Sequence, residues 1–267
     1  MRRFNGPTRY LGDQSANLAR FRDTAESYPR ELTPDEARGL RQKPFDWSPG
    51  HPSFFNGMYQ ALNAIQALRL SPGARVVEVG SGAGWITQLL AGLAYRVECI
   101  EPSVTMIEAA HYNVAGFLWL HGMDDFWPNV RFHHTTLEEC DLPAGIADGL
   151  LFYESFHHLV DERTAARQAF RLLKPGGSLC ISGESNWIPG SAEQATCWDA
   201  EMKRFGTLES PFTHKYLIDV LASAGFTEIV RHHGINGWFP VSQERAHIGD
   251  VCQYPARFLN NVTARRP

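Results

Sequence analysis

Two stretches of this chain place residue types at spacings that can do chemistry. The first is Glu78-Val79-Gly80-Ser81-Gly82-Ala83-Gly84. Its glycines permit a tight turn and let a backbone approach a ligand closely. The amides at the start of the next helix can receive a polar or anionic group. A phosphate-binding P-loop needs Gly-Lys followed by Ser or Thr, and that sequence does not follow. A dinucleotide fingerprint needs glycine at the end of G-x-G-x-x-G, but Trp85 or Thr87 stands there in the two possible frames. Hydride transfer with a nicotinamide cofactor is thereby disfavoured. The pattern that remains is E-x-G-x-G-x-G, with an acid inside the strand end. The second stretch is Tyr153-Glu154-Ser155-Phe156-His157-His158-Leu159. His157 or His158, with an ordinary pKa of about 6.5, suits general-base work near neutral pH. The same pair can equally shape the loop or bond its backbone.

Other candidates carry less. His133-His134 and His232-His233 look like metal ligands, but neighbours on a strand point to opposite faces. No H-E-x-x-H follows either pair, so no metal is expected. Cys99, Cys140, Cys180, Cys197 and Cys252 are scattered and form no C-x-x-C pair. A disulfide framework or structural zinc is not expected, and a reducing cytoplasm is the expected compartment. His214 reads as a helix-start residue, and Glu184 as a strand-end acid that either faces a ligand or is simply exposed.

These residues need elements to position them. From Arg75 onward short β-branched runs alternate with helical runs. Strands are expected over 75–79, 95–100, 130–132, 149–153, 178–182 and 227–231, with 238–241 a candidate partner for the last. Helices are expected over 85–94, 104–118, 162–173 and 215–225, and Lys174-Pro175-Gly176-Gly177 reads as a turn. Such alternation implies an α/β fold with a parallel sheet covered on both faces. The first 70 residues differ. Thr33-Pro34-Asp35-Glu36 starts one helix with a capping hydroxyl, proline at the first position and acids at the positive dipole end. Ser53 can cap a second, which carries Phe54, Met58, Leu62, Ile65 and Leu68 at helical spacing. Residues 186–212, with Trp187, Trp198, Phe205 and Phe212, interrupt the rhythm as an aromatic-rich insertion. Of 267 residues 43% are apolar, enough for a full core, and a net charge of −4 excludes a basic nucleic-acid footprint. The run Val114 to Leu120 is far below the ~20 residues that span a bilayer. Met1-Arg2-Arg3 is basic but no apolar stretch follows, so no secretory signal or membrane association is expected.

The glycine loop resembles that of the class I S-adenosylmethionine-dependent methyltransferases. The resemblance extends over roughly residues 71–239. It is carried by Val97-Glu98-Cys99-Ile100-Glu101-Pro102-Ser103, by Ile146-Ala147-Asp148-Gly149, by Leu173-Lys174-Pro175-Gly176-Gly177 and by Ala224-Gly225-Phe226. It implies a Rossmann-like class I methyltransferase fold, with a seven-stranded, mostly parallel sheet and helices on both faces. With it come an N-terminal helical cap over 1–70 and a core over 71–267. Glu101, about 20 residues past the loop, is implied as the ribose acid, since a carboxylate can accept both hydroxyl protons. Glu78 is implied near the ammonium end of the cofactor. Met106 and Ile107 are implied against the adenine, where Thr136 replaces the family's frequent Asp. Leu137 N–H can bind a ring nitrogen there, or Glu138 can reach in instead. The implied cofactor positions are Glu78, Gly80, Ser81, Gly82, Gly84, Glu101, Pro102, Met106, Thr136, Leu137 and Glu154.

The implied reaction is transfer of a methyl group from S-adenosyl-L-methionine to a small-molecule acceptor, oxygen or nitrogen ahead of carbon. His157, His158 and Glu154 are its catalytic candidates. Glu154 can orient a base or bind a cationic acceptor. Trp187, Trp198, Phe212 and Trp238 either line an apolar or aromatic acceptor pocket or pack the core. Tyr10, Phe21, Tyr28, Phe45 and Trp47 either close over the cofactor or pack the helices of the cap. Lys43-Pro44-Phe45-Asp46-Trp47, followed by Pro49-Gly50-His51-Pro52, resembles leaders of bacterial methyltransferases from secondary-metabolite and cell-surface sugar pathways. The alternative is a catalytically silent cofactor-binding module that acts through a protein partner. Oligomeric state is not legible.

Overall fold

Five strands, Arg75–Val79 (β1), Arg96–Glu101 (β2), Val130–His134 (β3), Ala147–Tyr153 (β4) and Leu173–Ser182 (β5), lie parallel in the order β3-β2-β1-β4-β5. The computed structural model describes residues 9–12, 18–43, 53–235, 239–240 and 260–267. Strand order reverses between β1 and β4, so a crevice is expected at the carboxyl ends of those two strands. Thr227–Ile235 (β6), Phe239–Pro240 (β7) and Asn260–Arg265 (β8) extend the sheet beyond β5. β8 lies antiparallel between β5 and β6. The mostly parallel sheet of seven strands is therefore present, and the two-residue β7 prolongs its edge.

Eight α-helices surround the sheet among the described residues. They are Ser27–Glu31 (α1), Pro34–Gln42 (α2), Ser53–Ala67 (α3), Trp85–Gly92 (α4), Val104–Leu120 (α5), Glu162–Leu172 (α6), Ala192–Phe205 (α7) and His214–Ser223 (α8). Their starts are set by local side chains. Thr33 and Glu36 form a reciprocal capping box on α2. Ser103, Asp161, Ser191 and Thr213 each accept an amide from the first turn of α5, α6, α7 and α8. His214 opens α8, as its place after the Thr213 cap predicts.

The strands are buried on both faces, as parallel strands require. Val77, Val79 and Ile100 pack with Ala165, Ala169 and Leu172 of α6 and with Leu217 and Leu221 of α8. On the other face Val76, Val97 and Cys99 pack with α4, with α5 and with Ala61, Ala64 and Ile65 of α3. Helix α3, assigned from sequence to the first 70 residues, thus shares the core of the sheet. Asp148 accepts from Arg75 N–H at 2.8 Å and from Lys174 at 2.6 Å, which joins β4 to the starts of its neighbours.

Three elements escape the sequence reading. Residues 192–205 form α7 where only turns and aromatics stand out, and the short α1 and β8 have no counterpart. Lys174–Gly177 is the expected turn, but it sits inside β5. The ladder passes from Ala147↔Leu173 to Gly149↔Ser178, and the residues between loop outward with Gly176 at φ +77. Of the 238–241 strand, Phe239 and Pro240 pair with Ile235 and Gly234, further along β6 than expected. Trp238 and Val241 lie outside the described residues, as do Phe45, Trp47 and the Pro44–Pro52 leader.

A third apolar cluster lies apart from the sheet. Tyr10, Phe21, Trp187, Trp198, Met202 and Leu208 pack together, with Tyr10 and Trp187 rings 4.5 Å apart. The N-terminal segment and the insertion therefore form one layer, the strap. Tyr10 N–H donates to Pro211 O at 2.8 Å, and Arg204 of α7 pairs with Glu36 of α2 at 2.7 Å. Arg9 fixes the layer to the core: its guanidinium reaches Glu162 Oε2 and Leu159 O, each at 2.5 Å. Tyr216 donates its hydroxyl to the other oxygen of Glu162. Removing one partner of a buried ion pair costs about 3–5 kcal/mol, because the other charge stays buried. Arg9→Ala is therefore expected to lower stability by about that amount in urea unfolding. A loss below about 1 kcal/mol would mean that the strap is not held by this pair.

Candidate functional site

The carboxyl ends of β1, β2 and β4 converge on the glycine loop. Gly80, Gly82 and Gly84 all take positive φ, at +72, +50 and +83. Each does so for its own reason. A Cβ on Gly80 would lie 2.6 Å from Ser155 Cβ, and one on Gly84 2.9 Å from Ala110 Cβ, so both allow close packing of neighbouring elements. Gly82 differs, because a Cβ there would meet open space. Its side of the loop is room for a ligand. Gly82 N–H donates to Glu101 Oε2 and Ser103 N–H to Glu101 Oε1, each at 2.9 Å. Glu101 is 6% exposed, and burial raises its pKa against the pull of these two amides. Two hydroxyl oxygens at this end of the sheet, Ser81 Oγ and Thr136 Oγ1, are buried without a hydrogen-bond partner. Buried polar groups normally have partners, so unpaired ones beside an open cradle point to a polar ligand.

The remaining predicted cofactor positions sort themselves. Met106 is buried in the first turn of α5, and Pro102 O accepts from His134 Nε2 at 3.0 Å. Leu137 is buried with its side chain in the main core. Glu138 does not reach inward: its carboxylate accepts Asp161 N–H at 3.3 Å near the start of α6. Glu78 is buried at the end of β1. Its Oε2 accepts Thr87 Oγ1 at 2.7 Å and lies 4.0 Å from Cys99 Sγ, under the loop. Complete burial pushes its pKa up to about 8.

At the end of β4, Glu154 sits at φ +52, a left-handed conformation that costs a non-glycine residue energy and that clusters at functional sites. Its half-exposed carboxylate faces Lys43 at 3.6 Å. The turn Phe156–His158 then presents both histidines, their ring centroids 4.0 Å apart. His157 is buried, with Nδ1 2.6 Å from Glu184 Oε2 and Nε2 3.3 Å from Glu209 Oε2. The two carboxylates overcome its desolvation and hold its pKa at about 10. A ring protonated on both nitrogens has no lone pair with which to act as a base. His158 is more open, with Nδ1 2.7 Å from Leu208 O. Burial of its inner edge and the charge on His157 lower its pKa, against the pull of Glu209. Glu184 is neither exposed nor free to meet a ligand. It accepts the amides of Ser155, Phe156 and His157, at 3.0, 2.8 and 3.2 Å, besides the His157 ring.

Trp187 and Trp198 pack in the strap cluster, and Phe212 packs edge-on against Phe156 in the core. Tyr10 and Phe21 join the strap cluster too, and Tyr28 stacks near Phe205 at 5.1 Å. Glu209 was missed from sequence, where a lone acid in Leu208-Glu209-Ser210 carries no signal. Glu26 was missed as well: it accepts Val104 N–H at 2.5 Å and Thr105 Oγ1 at 2.7 Å, tying the strap to the start of α5.

Comparison with known proteins agrees with this geometry. A family model described as a methyltransferase domain matches residues 52–232. Ubiquinone biosynthesis O-methyltransferase of Xanthomonas oryzae is 29% identical over 138 residues, 48% of this chain and 53% of that protein. The enzyme of that name from Bradyrhizobium diazoefficiens is 31% identical over 124 residues, 46% of this chain and 45% of the relative. The chain spans about half the length of these curated relatives. Among solved structures, geranyl diphosphate C-methyltransferase of Streptomyces coelicolor superposes with a TM-score of 0.59 at 15% identity, covering 83% of this chain and 86% of that one. That likeness establishes the fold. Among the described residues no helix is long and apolar enough to cross a membrane.

Glu78 gives the site a pH signature. Its folded pKa of about 8 lies above the ordinary 4.5, so its stabilising contribution is full below pH 4.5 and is lost as pH rises toward 8. Glu78→Gln keeps an oxygen for Thr87 but cannot ionise. Ligand-free wild type is expected to lose more stability than the variant between pH 5 and 8, by up to about 1.4 kcal/mol per pH unit. Urea unfolding at the two pH values measures it, and parallel losses would mean that Glu78 is already ionised at pH 5.

Proposed function

The chain belongs to the class I S-adenosylmethionine-dependent methyltransferase family, and we propose that it transfers the methyl group of S-adenosylmethionine to a small-molecule acceptor. The observation that carries this reading is the junction between Gly82 and Glu101 at the open side of the glycine loop. Each Glu101 oxygen spends one lone pair on a backbone amide and keeps another for a ribose hydroxyl. Ser81 Oγ and Thr136 Oγ1 offer the cofactor the polar partners they lack. Gly80 and Gly84 hold the loop against Ser155 and α5, Met106 and Pro102 border the second strand's end, and Leu137 N–H follows Thr136 toward the adenine. The bound cofactor supplies an electrophilic methyl carbon on a positively charged sulfur.

Acceptor contacts come from the end of β4. Glu154 and His158 are the side chains that reach the acceptor, and His157 fixes the turn behind them. Orientation of the acceptor against the methyl carbon is the main contribution asked of the protein. The relatives named for ubiquinone biosynthesis methylate oxygen and the Streptomyces neighbour carbon, by their names. The exposed carboxylate of Glu154 and the partly apolar strap favour an acceptor that is polar at one end and apolar or aromatic at the other. The strap, residues 9–12 and 18–43 with 186–212, is the cap that closes over the site. Its anchors at Glu162, Thr105 and Glu154 bracket the crevice.

Calorimetric titration with S-adenosylmethionine tests the site. Gly82→Val is expected to abolish binding in a folded protein, because a branched side chain resists φ +50 and fills the ligand space. Glu101→Ala should weaken binding by about 1–3 kcal/mol. Glu98→Ala removes the partner of His133 and Arg75, and is expected to cost stability while leaving cofactor affinity unchanged. Equal losses of affinity at positions 98 and 101 would reject the ribose role. Turnover with a panel of hydroxyl, phenol and amine acceptors separates an enzyme from a silent binding module.

Closure is read by hydrogen exchange. Addition of S-adenosylhomocysteine should slow amides in 18–43 and 192–212 as well as in the glycine loop. Slowing confined to the loop would remove the cap from this reading.

A further inference from the structure

We propose that His157, His158 and Glu209 form a binding site for a divalent transition-metal ion, with Glu184 holding His157 in place. Neighbouring histidines on a strand diverge, so from sequence no metal is expected, but these two lie in a tight helical turn and their rings fall on one side. One donor atom from each of the three residues lies within 4.8 Å of the other two.

The spacing suits an ion better than direct bonds. His157 Nε2 is 3.3 Å from Glu209 Oε2. That is long for a charge-assisted hydrogen bond. Two ligands of one ion with bonds of about 2.0–2.2 Å sit roughly this far apart.

The surroundings of the rings point the same way. His157 donates Nδ1–H to Glu184 at 2.6 Å, and Glu184 is itself gripped by three backbone amides. His158 donates Nδ1–H to Leu208 O at 2.7 Å. A histidine whose Nδ1–H is engaged by a carboxylate or carbonyl keeps the Nε2 lone pair for a metal, and this pairing is the usual support of a ligating histidine. Two imidazoles and one carboxylate suit Zn²⁺, Mn²⁺, Fe²⁺ or Co²⁺ rather than Mg²⁺ or Ca²⁺. Three protein ligands leave coordination positions open, and the exposed edge of His158 is the side from which the ion and a further ligand enter.

The test uses the full chain after treatment with a chelator, with Co²⁺ as the absorbing probe and Zn²⁺ in competition. One equivalent of Co²⁺ should bind with visible absorption bands that Zn²⁺ displaces. Glu209→Gln and His158→Ala are each expected to weaken binding at least tenfold, and Glu184→Gln about ten- to hundredfold. His121→Ala, an exposed histidine on another part of the surface, should leave it unchanged. Far-ultraviolet circular dichroism checks that each variant is folded, and His158→Ala, at a half-open position, carries the test if Glu209→Gln is not. No binding by millimolar Co²⁺, or binding indifferent to both Glu209→Gln and His158→Ala, would overturn the site. Cofactor affinity does not enter these measurements, so they stand apart from the methyl-transfer reading.

Discussion

A single buried carboxylate organises the working end of this sheet. Glu101 ends β2 and accepts one amide from the glycine loop after β1 and one from the turn that starts α5. Two strand ends and two helix starts are thereby set in register by one side chain. The arrangement depends on left-handed backbone at Gly80, Gly82 and Gly84, since only that path turns β1 into α4 while leaving Gly82 N–H aimed at β2. Hydrogen bonds to a buried charge are strong because little water competes for them. The cost of burying the acid is visible in its raised pKa, and a hydroxyl-bearing ligand would share that cost.

The second organising group is the Glu184 carboxylate. Three consecutive amides and a ring nitrogen converge on it, so the turn after β4 is wrapped around a negative charge. That makes His157 part of the scaffold, and it leaves Glu154 and His158 as the side chains displayed. The strained backbone at Glu154 follows: the chain must leave β4 abruptly to bring the next three amides onto Glu184.

What was legible in the sequence was local. The strand-helix alternation, the glycine loop, the acid at Glu101 and the Thr33–Glu36 cap each declare themselves within a few residues, and each has its expected form. What stayed hidden depends on distant partners. His157 meets Glu184, 27 positions away, and Arg9 meets Glu162, 153 positions away; no local pattern announces either. Helix α7 was hidden for a different reason. Its aromatic residues drew attention, while the Ser191 cap and the run of Ala, Glu, Gln and Lys that favour a helix went unread. Strand β8 is short and polar at alternate positions, Asn261, Thr263 and Arg265, with Val262 and Ala264 buried between them. Its signal is real but spans too few residues to stand alone.

The insertion of β8 between β5 and β6 has a consequence for how the chain is made. Synthesis delivers β5 and β6 well before residues 260–265, so their facing edges stay unpaired until that segment emerges. Open strand edges are sticky, and pairing across long sequence separations is slow. The parallel half of the sheet can assemble early, whereas the antiparallel half waits for a keystone. A ribosome that pauses within 241–259 would prolong the interval in which nascent chains can pair with one another, and a chaperone that shields the β5 edge would act during this interval.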